Sequence, residues 1–217
     1  MTGRAHPSAS ARAVEPVADH AALLREIRAC RRCVDAPLGA PLAHDPRPVL
    51  QIAPSARLAI FSQAPGMRVH RSGRPFTDAS GDRLRDWLGI GPDIFYDDNR
   101  VAIAPMGFCF PGYDAKGADR PPRRECAPLW RARVIACLPN VRTAVLVGSC
   151  AQSWHLGDRA GSLTDTVARW REFAPRCFPT PHPSWRNNGW LKKNTWFEEE
   201  LLPSLKAAVA SALQLDE

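Results

Sequence analysis

The sequence predicts an α/β fold, a three-layer α/β/α sandwich around a central, mainly parallel four-stranded sheet. Three observations predict it. Four short runs, Leu58 to Ser62, Val101 to Ala104, Ala144 to Gly148 and the weaker Arg176 to Pro179, have strand length and near-continuous apolarity, as a sheet covered on both faces requires. Amphipathic helical stripes lie between and after them, and strands alternating with helices give parallel pairing with helices on both faces. Each run ends in a loop of small residues or proline, where an open α/β sheet binds its ligands.

In chain order, residues 1 to 17 are rich in Ala, Ser, Arg and Pro without apolar periodicity and read as a disordered tail before a single domain over 18–217. A first helix is expected from about Ala18 to Cys30, with Leu23, Leu24 and Ile27 on one face. A Pro-rich connector, Ala36 to Pro54, leads to the first strand. Ser80 is placed to cap a helix carrying Leu84, Trp87 and Leu88 on one face, which Gly89 stops. Trp130, Val134, Cys137 and Leu138 form a second stripe and Leu202, Leu205, Val209 and Leu213 a third, with Pro203 a kink or a new start. Pro105 to Arg124 has no periodic pattern and exceeds the roughly 12–15 residues at which structureless loops become uncommon, so something should hold it.

Of the 217 residues, 45% are apolar and 24% charged, ordinary globular values, and no apolar stretch approaches the roughly 18 residues of a membrane span. Seven cysteines, an odd number, and no N-terminal apolar signal core point to reduced thiols in a cytoplasmic protein, not a secreted disulfide framework. Cys30 and Cys33 form a Cys-x-x-Cys, while Cys109 and Cys126 flank the long loop. Four converging thiolates would suit zinc or an iron–sulfur cluster; the alternative is that they are small buried apolar residues. Cys137, Cys150 and Cys177 fall in helix or strand patterns and are expected in the core.

The net charge of +7 favours polyanionic partners. It gathers in three windows: residues 68–86 with five Arg against three Asp, 116–133 with six Lys or Arg against two acids, and 180–195 with Arg186, Lys192 and Lys193 against none. Trp185, Trp190 and Trp196 interleave with the last, a mixture suited to a nucleic-acid surface; Trp185 is expected on the surface and the other two in the core. After the first strand comes Ser62-Gln63-Ala64-Pro65-Gly66, where backbone amides can approach a ligand, and then Phe76, a flat stacking surface. After the last comes Pro181-His182-Pro183-Ser184, whose prolines hold the histidine in a rigid turn.

The ordered set SQAPG, RPFTDASG, the four cysteines and HPS resembles the uracil-DNA glycosylase superfamily, most closely its iron–sulfur, family 4-like branch, over about Leu23 to Leu205. The branch's Glu-Ala-Pro-Gly appears as Gln63 to Gly66, its base-stacking Phe as Phe76, and its His-Pro-Ser as His182 to Ser184. Its four cluster ligands match Cys30, Cys33, Cys109 and Cys126, which implies a [4Fe–4S] cluster in preference to zinc. Its uracil-reading Asn is here Ala104, the superfamily's water-activating Asp is here Ala64, and Asp78 has no counterpart.

The resemblance implies a monomeric, monofunctional glycosylase that excises uracil from DNA. In it His182 serves as the electrophile and Asp78 or Gln63 positions water. Ala64, Gly66, Phe76 and Ser184 contact the base, while Arg68, Trp185 and Arg186 contact DNA. Other outcomes are excision of another deaminated base such as hypoxanthine, retention of abasic DNA with His70 as a trap, a non-catalytic iron–sulfur DNA-binding module, or a small-molecule hydrolase; the last lacks a Gly-x-Ser-x-Gly elbow.

Overall fold

A computed structural model describes residues 19–215; the expected tail over 1–17 lies outside them. Strands β1 (Leu58–Phe61), β2 (Val101–Ile103), β3 (Thr143–Val147) and β4 (Cys177–Thr180) form one sheet in the order β2-β1-β3-β4. Every pair is parallel, with Leu58 opposite both Val101 and Thr143, and Val145 opposite Phe178. The outer edge of β2 is covered by Gln51, which bridges Ile103 antiparallel while its side-chain amide donates to the carbonyls of Phe95 and Val101. That pairing protects an otherwise open edge.

Before the sheet come α1 (His20–Arg28) and α2 (Arg32–Asp35); between β1 and β2 lie α3 (Met67–Ser72), α4 (Ala79–Leu88) and α5 (Pro92–Phe95). Helix α6 (Cys126–Ala136) crosses from β2 to β3, and α7 (Ser149–Leu156) and α8 (Leu163–Ala168) connect β3 to β4. After β4 come α9 (Asn188–Lys193) and α10 (Leu202–Leu213). The sandwich is therefore the expected one, with more short helices than the periodicity marks.

Alternation along the strands builds two unequal cores. One face presents Leu58, Ile60, Val101, Ile103, Val145 and Val147 to Leu84, Trp87 and Leu88 of α4 and to Leu205, Val209 and Leu213 of α10. The other presents Ala59, Ala102 and Ala104 with Phe61 and Leu146, against Leu23 and Ile27 of α1 and Trp130 and Val134 of α6. Leu202 packs at the margin of the first core and Leu24 of the second.

Asp78, not Ser80, caps α4. Its backbone is extended and its carboxylate accepts the Gly81 N–H, two residues earlier than the expected cap. Gly89 ends that helix in the left-handed conformation. Pro203 marks a new start: a π-helical turn, Phe197–Leu201, runs into α10, whose second residue it is. Trp190 and Trp196 are partly buried against the first core, whereas Trp185 is 73% exposed.

The loop after β2 is held by its own polar contacts. Tyr113 bridges Asp119 antiparallel, and Asp114 Oδ1 accepts the N–H groups of Lys116 and Ala118 at 2.8 and 2.9 Å. Arg120 Nε donates to the Tyr113 carbonyl, closing a small hairpin. At the loop's two ends Arg131, 1% exposed, donates to the carbonyls of Ala104 and Pro105, and Arg123 pairs with buried Glu125 while reaching Ala40 O. Arg133 pairs with Glu26. Four of the six basic residues counted in that window are thus committed within the fold.

Candidate active site

All four strands point their carboxyl ends toward one rim, and the strand order reverses between β1 and β3, which is where such sheets open a crevice. A cavity of about 340 Å³ lies there. The pairing of β1 with β2 continues beyond the strands to form its wall, because Met106 and Gly107 donate to the carbonyls of Ser62 and Gln63. Arg131 fixes the neighbouring turn from beneath, held by burial at a pKa of about 10, still cationic at neutral pH. Gln63, Ala64, Pro65 and Gly66 line the cavity on the β1 side. The Gln63 amide packs over Gly148, which turns out of β3 with φ 83°; a Cβ there would stand 3.0 Å from Gln63 Nε2.

Phe76 enters from the turn before α4 with a left-handed φ of 52°. Such a backbone costs about 1–3 kcal/mol and persists only where its surroundings over-determine it. Here they do. Tyr96 Oη donates to the Phe76 carbonyl at 3.0 Å, the ring meets Phe95 edge-on, and Gly81 lets α4 approach so closely that a Cβ on it would lie 1.9 Å from Phe76 O. Asp78, two residues on, lines the same cavity while capping α4.

From β4, His182 and Ser184 reach the cavity on the Pro-His-Pro-Ser turn. The Ser184 N–H donates to His182 Nδ1 at 3.2 Å, which assigns the proton of the neutral ring to Nε2. Burial lowers the His182 pKa, opposed by Asp78, so the neutral form prevails at neutral pH. Asn187 clamps the turn through His182 O at 2.7 Å, and Arg83 of α4 donates to Ser184 O and Asn188. Arg186 lines the cavity, its guanidinium 5.8 Å from the Trp185 ring centre.

A family model described as the Uracil DNA glycosylase superfamily matches residues 50–206. The chain belongs to this superfamily. The match spans β1 to β4 and the cavity-lining segments, and is consistent with a DNA-glycosylase-type hydrolytic activity. Among the site residues expected from the sequence, this superfamily member brings Gln63, Ala64, Gly66, Phe76, Asp78, His182, Ser184 and Arg186 together around the cavity. Arg68, on α3, is exposed and does not line it, and neither does Trp185. His70 packs on His44 and Phe110 away from the cavity, so its geometry gives no support to a covalent trap. Ala104 is buried beneath the site with its carbonyl taken by Arg131.

The cofactor expectation is corrected. Among the described residues no group of three or more His, Cys, Asp or Glu could hold a metal ion. Cys30, Cys33, Cys109 and Cys126 border an apolar cavity of only about 20 Å³, room for about one water and not for a four-iron cluster. Burial, with the neighbouring thiols, pushes Cys109 up to about 12, and burial does the same for Cys126. They pack as small soft residues, Cys126 Sγ accepting the Phe108 N–H. Neither a [4Fe–4S] cluster nor zinc fits this arrangement, and the internal contacts of the long loop already hold it.

Two charged cavity residues escape the motif reading: Asp119 and Arg120, from the loop between β2 and α6. The available signal was the turn pattern inside that loop, Asp114 followed by Gly117, which has φ 76° and permits the reversal.

Proposed function

We propose that this protein is a monofunctional DNA glycosylase that flips uracil out of DNA and hydrolyses its N-glycosidic bond, leaving an abasic site. The observation that carries the reading is the convergence of a neutral histidine, an aromatic ring and a carboxylate on one cavity at the strand ends. A base inside a duplex is out of reach, so it is extruded at a cost of a few kcal/mol, less where it is mismatched or single-stranded. Phe76 stacks on the flipped base and the backbone of Gln63 to Gly66 lies against its edge. Trp185, with Arg186, is placed to fill the vacated stack.

Departure of the base leaves negative charge on uracil O2 and positive charge on the sugar. His182, donating from Nε2, stabilises the first; its Nδ1 is already satisfied by Ser184. Asp78 or Gln63 positions the water, and a carboxylate also favours the sugar cation. Arg186 and Arg68 meet the phosphates. No lysine is required for hydrolysis that stops at the abasic site.

Excision from oligonucleotides containing uracil, hypoxanthine or xanthine, paired and unpaired, tests this reading. Uracil is expected to be released, and His182→Ala to slow release by about 10²–10³-fold, the scale of removing one pre-placed donor to a developing oxyanion. Full activity in that variant overturns the role of His182. Absence of release from every substrate overturns the function.

A further inference from the structure

We infer that Asp119, delivered by the hairpin between β2 and α6, is the catalytic carboxylate that positions and deprotonates the attacking water. The inference rests on the glycosylase reading above and settles its open choice of water-positioning group on a residue outside the motifs. Asp119 lines the cavity, close enough to Arg186 and Asp78 to feel the charge of both. Its Oδ2 lies 3.3 Å from the point a Cβ on Gly66 would occupy, so the carboxylate rests directly on the turn that follows β1. Glycine at 66 leaves the room it uses.

Its placement is built, not incidental. Asp119 is the residue of the hairpin that bridges Tyr113, the N–H groups of Lys116 and Ala118 are fixed by Asp114, and Arg120 is tied on the other side to Tyr113 O and Gly112 O. Of the two groups named above for positioning water, one already caps a helix and the other is an amide, which cannot take a proton from water. Asp78 accepts the Gly81 N–H as the cap of α4, and the Gln63 amide is packed over Gly148. Ala64 has no polar side chain. The Asp119 carboxylate is therefore the cavity's acidic group with no structural duty among the described residues.

The charged and titratable groups that share the cavity with it are Asp78, Arg120, His182 and Arg186. Partial burial raises the Asp119 pKa, Arg186 opposes this, and Asp78 adds to it. A carboxylate more basic than an ordinary one is a better general base. In the step itself the water oxygen bonds to C1′ of the deoxyribose as the C1′–N1 bond breaks. The water proton passes to Asp119, and the bonding pair leaves on the base, whose O2 accepts from His182 Nε2–H. Solvent then protonates the base and takes the proton from Asp119.

Single-turnover excision of uracil by the full chain, its Asp119→Asn variant and its Asp78→Asn variant, followed from pH 4.5 to 9, tests the inference. Binding of each to a duplex carrying a non-hydrolysable uracil nucleotide is measured alongside. Asp119→Asn is expected to lower the rate about 10²-fold or more with affinity changed less than about 3-fold, and to abolish the loss of rate at acid pH expected of the unsubstituted protein. Asp78→Asn is expected to retain that acid limb. A rate within about 3-fold of the unsubstituted protein, loss of binding in step with rate, or an acid limb that survives in Asp119→Asn overturns the inference. Should Asp119→Asn lack a cooperative melting transition, Asp119→Ser is read by the same criteria. If the unsubstituted protein excises uracil and His182→Ala does not, an active Asp119→Asn removes this inference alone. An inactive unsubstituted protein removes both.

Discussion

Replacing Gly81 with alanine tests how Phe76 is held over the cavity. The new Cβ would lie 1.9 Å from Phe76 O, 2.7 Å from its carbonyl carbon and 2.9 Å from its Cβ. None of these atoms can be swung aside by a rotamer change, so the turn itself must retreat, by about 1.5 Å to restore an ordinary contact of 3.4 Å. Overpacking of this kind costs about 1–3 kcal/mol. Loss of the Tyr96 hydrogen bond to Phe76 O adds about 1 kcal/mol. Gly81 stands in the first turn of α4, where alanine returns up to about 1 kcal/mol through helix propensity. The net destabilisation is about 1–3 kcal/mol, or roughly 2–12 °C in Tm for a chain of this size. Activity is expected to suffer more: a displacement of about 1 Å at a positioning group lowers rate by about 10²-fold. Thermal melts and uracil excision at 25 °C, far below the transition, separate the two effects. Tyr96→Phe is the companion variant, expected to lose about 1 kcal/mol alone. A Gly81→Ala protein with unchanged Tm and unchanged excision would refute the claim that α4 sets the Phe76 turn by close contact.

Two further expectations concern the layer beneath the site. Arg131→Leu leaves the carbonyls of Ala104 and Pro105 without their donor, so urea denaturation should show a loss of about 2–5 kcal/mol; a loss under 1 kcal/mol would mean that Arg131 does not hold the end of β2. His155 stacks on Phe61 with its pKa pushed down to about 4 by burial and Arg131, from an ordinary 6.5. A lowered histidine pKa stabilises the fold fully above 6.5 and progressively less as pH falls through about 4, an effect on the order of 3 kcal/mol. His155→Phe should flatten that part of the acid dependence of the urea midpoint, and equal slopes in the two proteins would remove His155 as its source.

The legible parts of this molecule are those written in local chemistry. The four strands are runs too short for helices and too apolar to be exposed, and each begins and ends within a residue or so of the expected position. The stripes of α4, α6 and α10 are buried as their spacing requires. Short helices such as α3 and α9 carry too few apolar positions to show a period, and their existence depends on neighbours. The Asp78 cap illustrates the same limit: Asp78 and Ser80 are both good N-cap residues, and the choice falls to Asp78 because the Phe76 turn, pinned by Tyr96, delivers that residue in an extended conformation.

The sequence by itself determined the sandwich, the two strand-end turns and the residues of the candidate site that lie on them, because a parallel sheet brings the carboxyl ends of its strands to one edge whatever the details of packing. Tertiary structure decided what depends on distance between segments far apart in the chain. It brought Asp119 to the cavity through a hairpin whose closure is polar, buried Arg131 out of a window that counts as basic charge in the sequence, and left the four matched cysteines around a space too small for a cluster. Residue type at a given spacing states what a group is able to do; whether it is charged, paired or within reach is set by the burial and field of everything folded around it.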